Sequence, residues 1–238
     1  MVESNERGFT RANVEAICSI GESSKLHDRD TTGEKGLGFK SAFGIANTIH
    51  VQSGQWSFRF EHSRGQEGLG MVTPIWTEVP SGEALPIGIG TRFRLTYAEQ
   101  NDTFVDRVEA EFMKATETII FALRKLKKLE IVFERVPRRT KLRSFQKSST
   151  VSESGEYMKI ITRFKSPFTK VRSSETKLRI VRRLIRDMPS NDVRRSDTSE
   201  IVLGFQVSPI DGTPIVPPCG QHVFAYLPVQ RVSQLPVS

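Results

Sequence analysis

The residues with the clearest chemical potential are the glycines of "TTGEKGLGFKSAF", Thr31 to Phe43. Gly33, Gly36 and Gly38 come directly before a segment in which apolar residues recur at helical spacing. A helix N-terminus presents unpaired N–H groups and a partial positive charge, and glycine lets a ligand approach them closely. The stretch therefore indicates a phosphate-binding loop, with an ordinary surface loop as the alternative.

Two common nucleotide motifs do not fit this loop. A Walker A loop requires lysine directly after its last glycine, whereas Phe39 separates Gly38 from Lys40. The dinucleotide fingerprint requires a glycine where this chain has Ser41. The pattern argues against a P-loop and against a Rossmann site.

The surrounding sequence predicts the elements that must position the loop. Helical spacing predicts a short helix in "RANVEAICSI" and a long amphipathic helix from Asn101 to Leu126. Alternation of apolar and polar residues predicts a hairpin in "TIHVQSGQWSFRFE" and a strand in "GTRFRLTY". The polar, basic segment from Pro137 to Glu156 predicts a mobile connection, and "KLRIVRRLIRD" fits either a helix or a strand. Further strands are predicted in "LEIVFE", "YMKIITRF", "IVLGFQV" and "HVFAYLP".

Composition limits the class of protein. No run approaches the roughly 18 apolar residues of a membrane span, and "MVESNERGF" lacks the pattern of a signal peptide. Cys18 and Cys219 lie far apart, and the four histidines are scattered without metal-ligand spacing. We expect an intracellular protein, cytoplasmic or nuclear, with no membrane partner and no metal site.

The positive charge belongs to the second half of the chain. Residues 1–100 hold 10 Lys/Arg against 12 Asp/Glu, whereas residues 101–238 hold 25 against 15. Such an excess would attract nucleic acid or another anionic surface. A solvated face without a partner is the alternative.

Several separated motifs resemble one family. "TGEKGLGFKSAFGIANTIHVQSG" is similar to the ATP-lid glycine motif of the GHKL superfamily, the ATP-binding fold of gyrase, histidine kinases, MutL and ninety-kilodalton heat-shock chaperones. Together with "NERGFTRANVEAICSIGESSK", "IVLGFQV" and "HVFAYLP", it resembles the chaperone-like ATPase domains of the sacsin and No Vein type. The stretch from Pro137 to Leu178 contributes little to the resemblance.

The resemblance implies a set of nucleotide-binding residues. It assigns one segment to adenine, a second to the lid that reaches the phosphates, a third to the phosphate-cradling loop, and a fourth to the strand start behind adenine. The implied residues are, in that order, Asn5, Glu6 and Gly8; Ser23, Ser24 and Lys25; Gly33, Gly36, Gly38 and Phe39; and Thr91. Ser4 aligns with the aspartate that reads adenine in most of the superfamily, and it could accept the same hydrogen bond without a charge.

The resemblance also implies what this chain would lack. In the family, the helix before the adenine loop supplies a Glu/Asn pair that activates water and holds magnesium, whereas this chain starts at Met1, three residues before that loop. The expectation is an ATP-binding domain truncated at both ends, with Mg²⁺ bound in full-length relatives but its ligand absent here, and with doubtful hydrolysis.

These inferences predict an α+β fold, a two-layer α/β sandwich of the GHKL (Bergerat) type without its N-terminal helix, followed by a second partial α/β segment. The predicted domains are an incomplete ATP-binding domain at 1–134 and a basic linker with a partial second domain at 135–238. The predicted function is ATP binding of a chaperone-like kind, with nucleotide and a protein client as partners. The alternatives are a basic interaction or nucleic-acid-binding module and an inactive remnant of the family.

Overall fold

The computed structural model describes residues 1–19, 37–63, 69–79, 82–99, 101–135, 139–167, 169–186, 199–215, 221–225 and 227–232. The chain forms two compact units, Met1–Asp106 and Arg107–Ser238. The boundary falls inside a helix, whereas the sequence places it after residue 134. Among the described residues, no helix is both long and apolar enough to cross a bilayer.

Unit 1 is built on a five-stranded antiparallel sheet in the order β1-β5-β2-β3-β4. A helix near the N-terminus, α1, begins with a capping box in which Thr10 and Asn13 satisfy each other's backbone N–H groups. The elements are β1 (Val2–Ser4), α1 (Arg11–Cys18), α2 (Leu37–Lys40), a 3-10 turn (Ser41–Gly44), β2 (Ala46–Ser53), β3 (Trp56–Glu61), β4 (Ile75–Trp76) and β5 (Thr91–Tyr97).

The core of unit 1 lies between one face of this sheet and the short helices. The β2–β3 hairpin turns at Gly54, whose positive φ of 56° suits glycine. Alternation along the two strands then buries one row of apolar side chains against α1 and the α2 segment. The buried members are Val14, Phe43, Ala46, Ile49, Val51, Phe58 and Phe60.

Unit 2 contains a second five-stranded antiparallel sheet, in the order β10-β9-β8-β7-β6. One face of it carries a cluster of Ile120, Phe145, Met158, Ile160 and Ile180. Two helices precede the strands: α3 (Asp102–Met113) spans the unit boundary, and α4 (Thr118–Ala122) contributes Ile120. The strands are β6 (Lys128–Arg135), β7 (Arg139–Ser152), β8 (Gly155–Ser166), β9 (Thr169–Ile185), β10 (Ser199–Val207), and a separate pair, β11 (Gln221–Ala225) and β12 (Leu227–Val232).

The predicted α+β fold, a two-layer sandwich of the GHKL (Bergerat) type, is wrong. The described residues form mostly strands, arranged in two antiparallel five-stranded sheets that belong to different units. The helices have only 8, 4, 12 and 5 residues. Short helices of this kind cover part of a sheet but do not build a second layer across it.

Two local predictions account for much of this error. The segment expected to be a mobile connection forms all of β7 and the start of β8, because β7 pairs with β6 on one side and β8 on the other and buries Phe145. The long helix expected from Asn101 to Leu126 is two helices, interrupted between Met113 and Thr118. The predicted hairpin and the strands at β5, β6, β8 and β10 are confirmed.

Candidate functional site

The N-terminal segment of unit 1 is fastened to the sheet by a buried hydroxyl. Ser53, fully buried at the end of β2, accepts the backbone N–H of Phe9 at 2.7 Å. Its Oγ lies 2.6 Å from Thr91 Oγ1 and donates toward the carbonyl of Gly90, at 3.2 Å. The two hydroxyls therefore hold the segment after Gly8 against the start of β5.

Two glycines make this approach possible. Gly8 has a φ of +87°, and a Cβ on it would lie 3.3 Å from the Gly90 carbonyl oxygen. A Cβ on Gly90 would lie only 1.7 Å from the carbonyl oxygen of Glu6, so no side chain fits there. The N–H of Gly90 also donates to the carbonyl of Ser4 at 2.9 Å. The backbone around Gly90 thus lies directly against the backbone of residues 4–8, a close approach that the absence of a side chain on glycine allows.

One phenylalanine ring joins this segment to helix α2. Phe93 of β5 packs edge-on against Phe9, with ring centroids 6.1 Å apart. It also contacts Phe39 in a tilted arrangement, with centroids 5.9 Å apart. Phe9 follows Gly8 directly, and Phe39 follows Gly38 directly. The two Gly-Phe pairs, which are far apart in the sequence, thus both contact the same ring.

Gly38 differs from the other two glycines. It lies in α2, is exposed, and a Cβ built on it meets no atom within 4 Å. The backbone here is open to a ligand. Nothing in the described fold requires glycine at this position.

Lys40 is engaged in holding the unit together. Its ammonium donates to the carbonyls of Ile17 and Met71, at 2.6 Å each, and lies 5.3 Å from the centres of the Phe39 and Phe60 rings. Burial lowers the pKa of Lys40, and burial likewise raises the pKa of the neighbouring Cys18 thiol. Lys40 therefore ties α1 and the turn near Met71 to α2.

The structure places the predicted site residues in different environments. Asn5 and Glu6 are exposed beside Gly8, and Thr91 is fully buried behind that segment. Phe39 packs into the aromatic cluster of the core. Gly38 is exposed at the start of α2, whereas Ser23, Ser24, Lys25, Gly33 and Gly36 lie outside the described residues.

Ser53 and Phe93, which join these segments, were not singled out from the sequence. The signal for Ser53 is modest: a small polar residue ends an apolar strand directly before a turn glycine. The contacts that give it importance come from Phe9, Gly90 and Thr91, which are 37 to 44 residues away along the chain. No local pattern encodes them.

The other face of the same sheet carries a separate polar cluster. His50 Nε2 lies 2.9 Å from Thr77 Oγ1 and 3.2 Å from Ser57 Oγ. Burial, followed by the nearby charge of Arg94, lowers the pKa of His50. Ser57 is itself buried, and its Oγ lies within hydrogen-bond distance of Thr77 Oγ1, at 3.0 Å. These contacts therefore stabilise the fold. The described residues contain no group of three His, Cys, Asp or Glu side chains that could hold a metal ion.

The chain is similar to Protein NO VEIN of Arabidopsis thaliana, with 29% identity over 138 residues. The match covers 53% of this chain and 5% of that protein's length. No family model matches the chain, and no solved structure matches it. The similarity supports a relationship of the No Vein type for about half of the chain.

Proposed function

We propose that this chain binds ATP at unit 1, as a chaperone-like protein whose glycine motifs are similar to those of GHKL ATPases. The observation that carries the proposal is the meeting of the two Gly-Phe pairs on Phe93. By resemblance, Gly8 belongs to the adenine segment and Gly38 to the phosphate loop. A nucleotide site needs both segments in one place.

The local chemistry supports this assignment. Gly38 offers an unobstructed backbone in the first turn after the glycine-rich loop, where N–H groups favour phosphate oxygens. Ser53, which also contacts Thr91, accepts the N–H of Phe9, and the N–H of Gly90 donates to the carbonyl of Ser4, so the chain is fixed on both sides of Asn5–Gly8. Mg²⁺ would accompany ATP, and no described residue is assigned to it.

The proposal is tested by titration calorimetry of the 238-residue chain with ATP and with ADP, up to millimolar concentration and with Mg²⁺ present. We expect saturable binding by the natural chain. Gly38→Val should weaken it by at least tenfold, because the side chain occupies the approach to the backbone.

Gly44→Val is the matched control. Gly44 lies on the next turn and has the same open surroundings, but it is not one of the implied nucleotide-binding residues. It should leave binding unchanged. An absence of heat with folded protein, or equal affinities for the natural chain and Gly38→Val, would contradict the proposal.

A further inference from the structure

The two faces of the unit 2 sheet differ in whether their Lys and Arg side chains have partners within the protein. On the face that carries the Phe145 cluster, three of the cations have named partners within the protein. Lys147 donates to the carbonyl of Ile120 at 2.9 Å, Lys141 contacts Glu109 at 2.5 Å, and Arg182 pairs with Glu156 at 2.8 Å. Their charge is largely compensated where it lies.

The opposite face, called here the basic face, presents the alternate residues of the same strands. Two of its lysines are paired, Lys128 with Glu130 and Lys159 with Glu175. Glu134 of β6 is the remaining acid among the described strand residues of this face. Five more cations lie on β8 and β9 without an acidic partner among the described residues: Arg163, Lys165, Lys177, Arg179 and Arg183.

Aromatic side chains accompany these cations. Arg179 of β9 is paired in register with Tyr157 on one side and with Phe205 on the other. Neighbouring strands are about 4.8 Å apart, so the two aromatic positions are separated by about 10 Å, with a guanidinium between them. Phe205 is 52% exposed, and the ammonium of Lys177 lies 5.1 Å from the centre of the Tyr157 ring.

We propose that the basic face binds single-stranded nucleic acid. The five cations are positioned to neutralise phosphates, while Tyr157, Arg179 and Phe205 offer flat groups on which unpaired bases stack. An acidic peptide would use the cations but has no use for a row of stacking planes. In a duplex, the base faces are already stacked and unavailable. A single strand therefore satisfies both features of the face.

The proposal is tested with fluorescein-labelled 20-nucleotide oligouridylate RNA and oligothymidylate DNA, using anisotropy between 50 and 200 mM salt. For the natural chain, the logarithm of affinity should fall linearly with the logarithm of salt concentration. Replacing Arg163, Arg179 and Arg183 together with glutamine should reduce that slope by about 2, since each cation on a single strand contributes about 0.7. Phe205→Leu should leave the slope unchanged and weaken affinity by about tenfold, because it removes one stacking plane.

Arg172→Gln is the matched control, because Arg172 is an exposed cation of the same strand on the opposite face, paired in register with Phe164. It should leave both the affinity and the slope unchanged. Circular dichroism and the midpoint of thermal unfolding establish that each variant is folded.

Three results would overturn the proposal. One is an equal effect of Arg172→Gln and Arg179→Gln. Another is equal affinity for the oligonucleotides and for a duplex of the same length, with no loss in Phe205→Leu. The third is binding to phosphatidylserine vesicles or polyglutamate without binding to either oligonucleotide.

Discussion

At the scale of single residues, glycine performs two different tasks in unit 1. Gly8 and Gly90 are required by the fold, since one has a positive φ and the other has a carbonyl oxygen where its side chain would be. Gly38 is not required by any described contact. A sequence motif cannot separate these cases, because the difference lies in what surrounds each backbone.

This difference predicts opposite effects on stability. Gly38→Ala should keep or raise the free energy of unfolding, by about 0.5–1 kcal/mol, because alanine is the better helix former in α2. Gly90→Ala should lower it by more than about 1 kcal/mol, because the Glu6 carbonyl must move. Urea unfolding of the two variants beside the natural chain measures both. A loss of stability in Gly38→Ala would show that the fold itself needs this glycine.

At the scale of elements, the sequence predicts a strand correctly where apolar and polar residues alternate because one face of the strand is apolar and the other polar. Strands β2, β3 and β5 follow this pattern, and so the hairpin and the third strand were predictable. In β9 the pattern is obscured, because long charged residues such as Arg179 and Arg182 lie on both faces beside Ile180. The strand forms because β8 and β10 pair with it on either side, and pairing at that range leaves no local signal.

Contacts distant in sequence also fix the two helices that replace the predicted long one. Arg143 of β7 donates to the carbonyl of Met113 at the end of α3. The carbonyl of Ile120 in α4 accepts a hydrogen bond from Lys147, a residue of β7 that is 27 positions away. The Lys147 ammonium also contacts the carbonyl of Leu123. A buried lysine thus holds the C-terminal end of α4 on the sheet, where a cation meets the negative end of the helix.

Lys147 gives a prediction for the pH dependence of stability. Burial, together with the charge of Arg182, lowers the pKa of Lys147 to about 8 in the folded protein, whereas an unfolded lysine titrates near about 10.4. Between these values the unfolded chain binds more protons, so the free energy of unfolding should rise with pH in that window. Below pH 8 the amine is charged in both states, and its contribution should be constant.

The measurement compares the natural chain with Lys147→Met by urea unfolding at pH 7.0, 7.5, 8.5 and 9.5. The difference in free energy between the two should be the same at the two lower values and should increase in favour of the natural chain at the two higher ones. The methionine variant keeps the apolar stem and removes the titrating group, so other ionisable residues cancel in the difference. A difference that stays flat to pH 9.5 would place the pKa of Lys147 near its ordinary value.

At the scale of the whole molecule, the sequence already indicated that the two halves differ in charge, and the structure gives each unit its own sheet and its own buried cluster. The residues proposed for ATP all belong to unit 1, and those proposed for nucleic acid all belong to unit 2.

We therefore expect the two activities to be lost separately. Gly38→Val should weaken ATP binding by at least about tenfold and leave oligonucleotide affinity within about twofold, while replacing Arg163, Arg179 and Arg183 together with glutamine should do the reverse. Both ligands are titrated against both variants in the same buffer, with the natural chain alongside. Loss of both activities in either variant, with unchanged circular dichroism, would mean that one site serves both ligands, because each ligand carries phosphates that the same cations could bind.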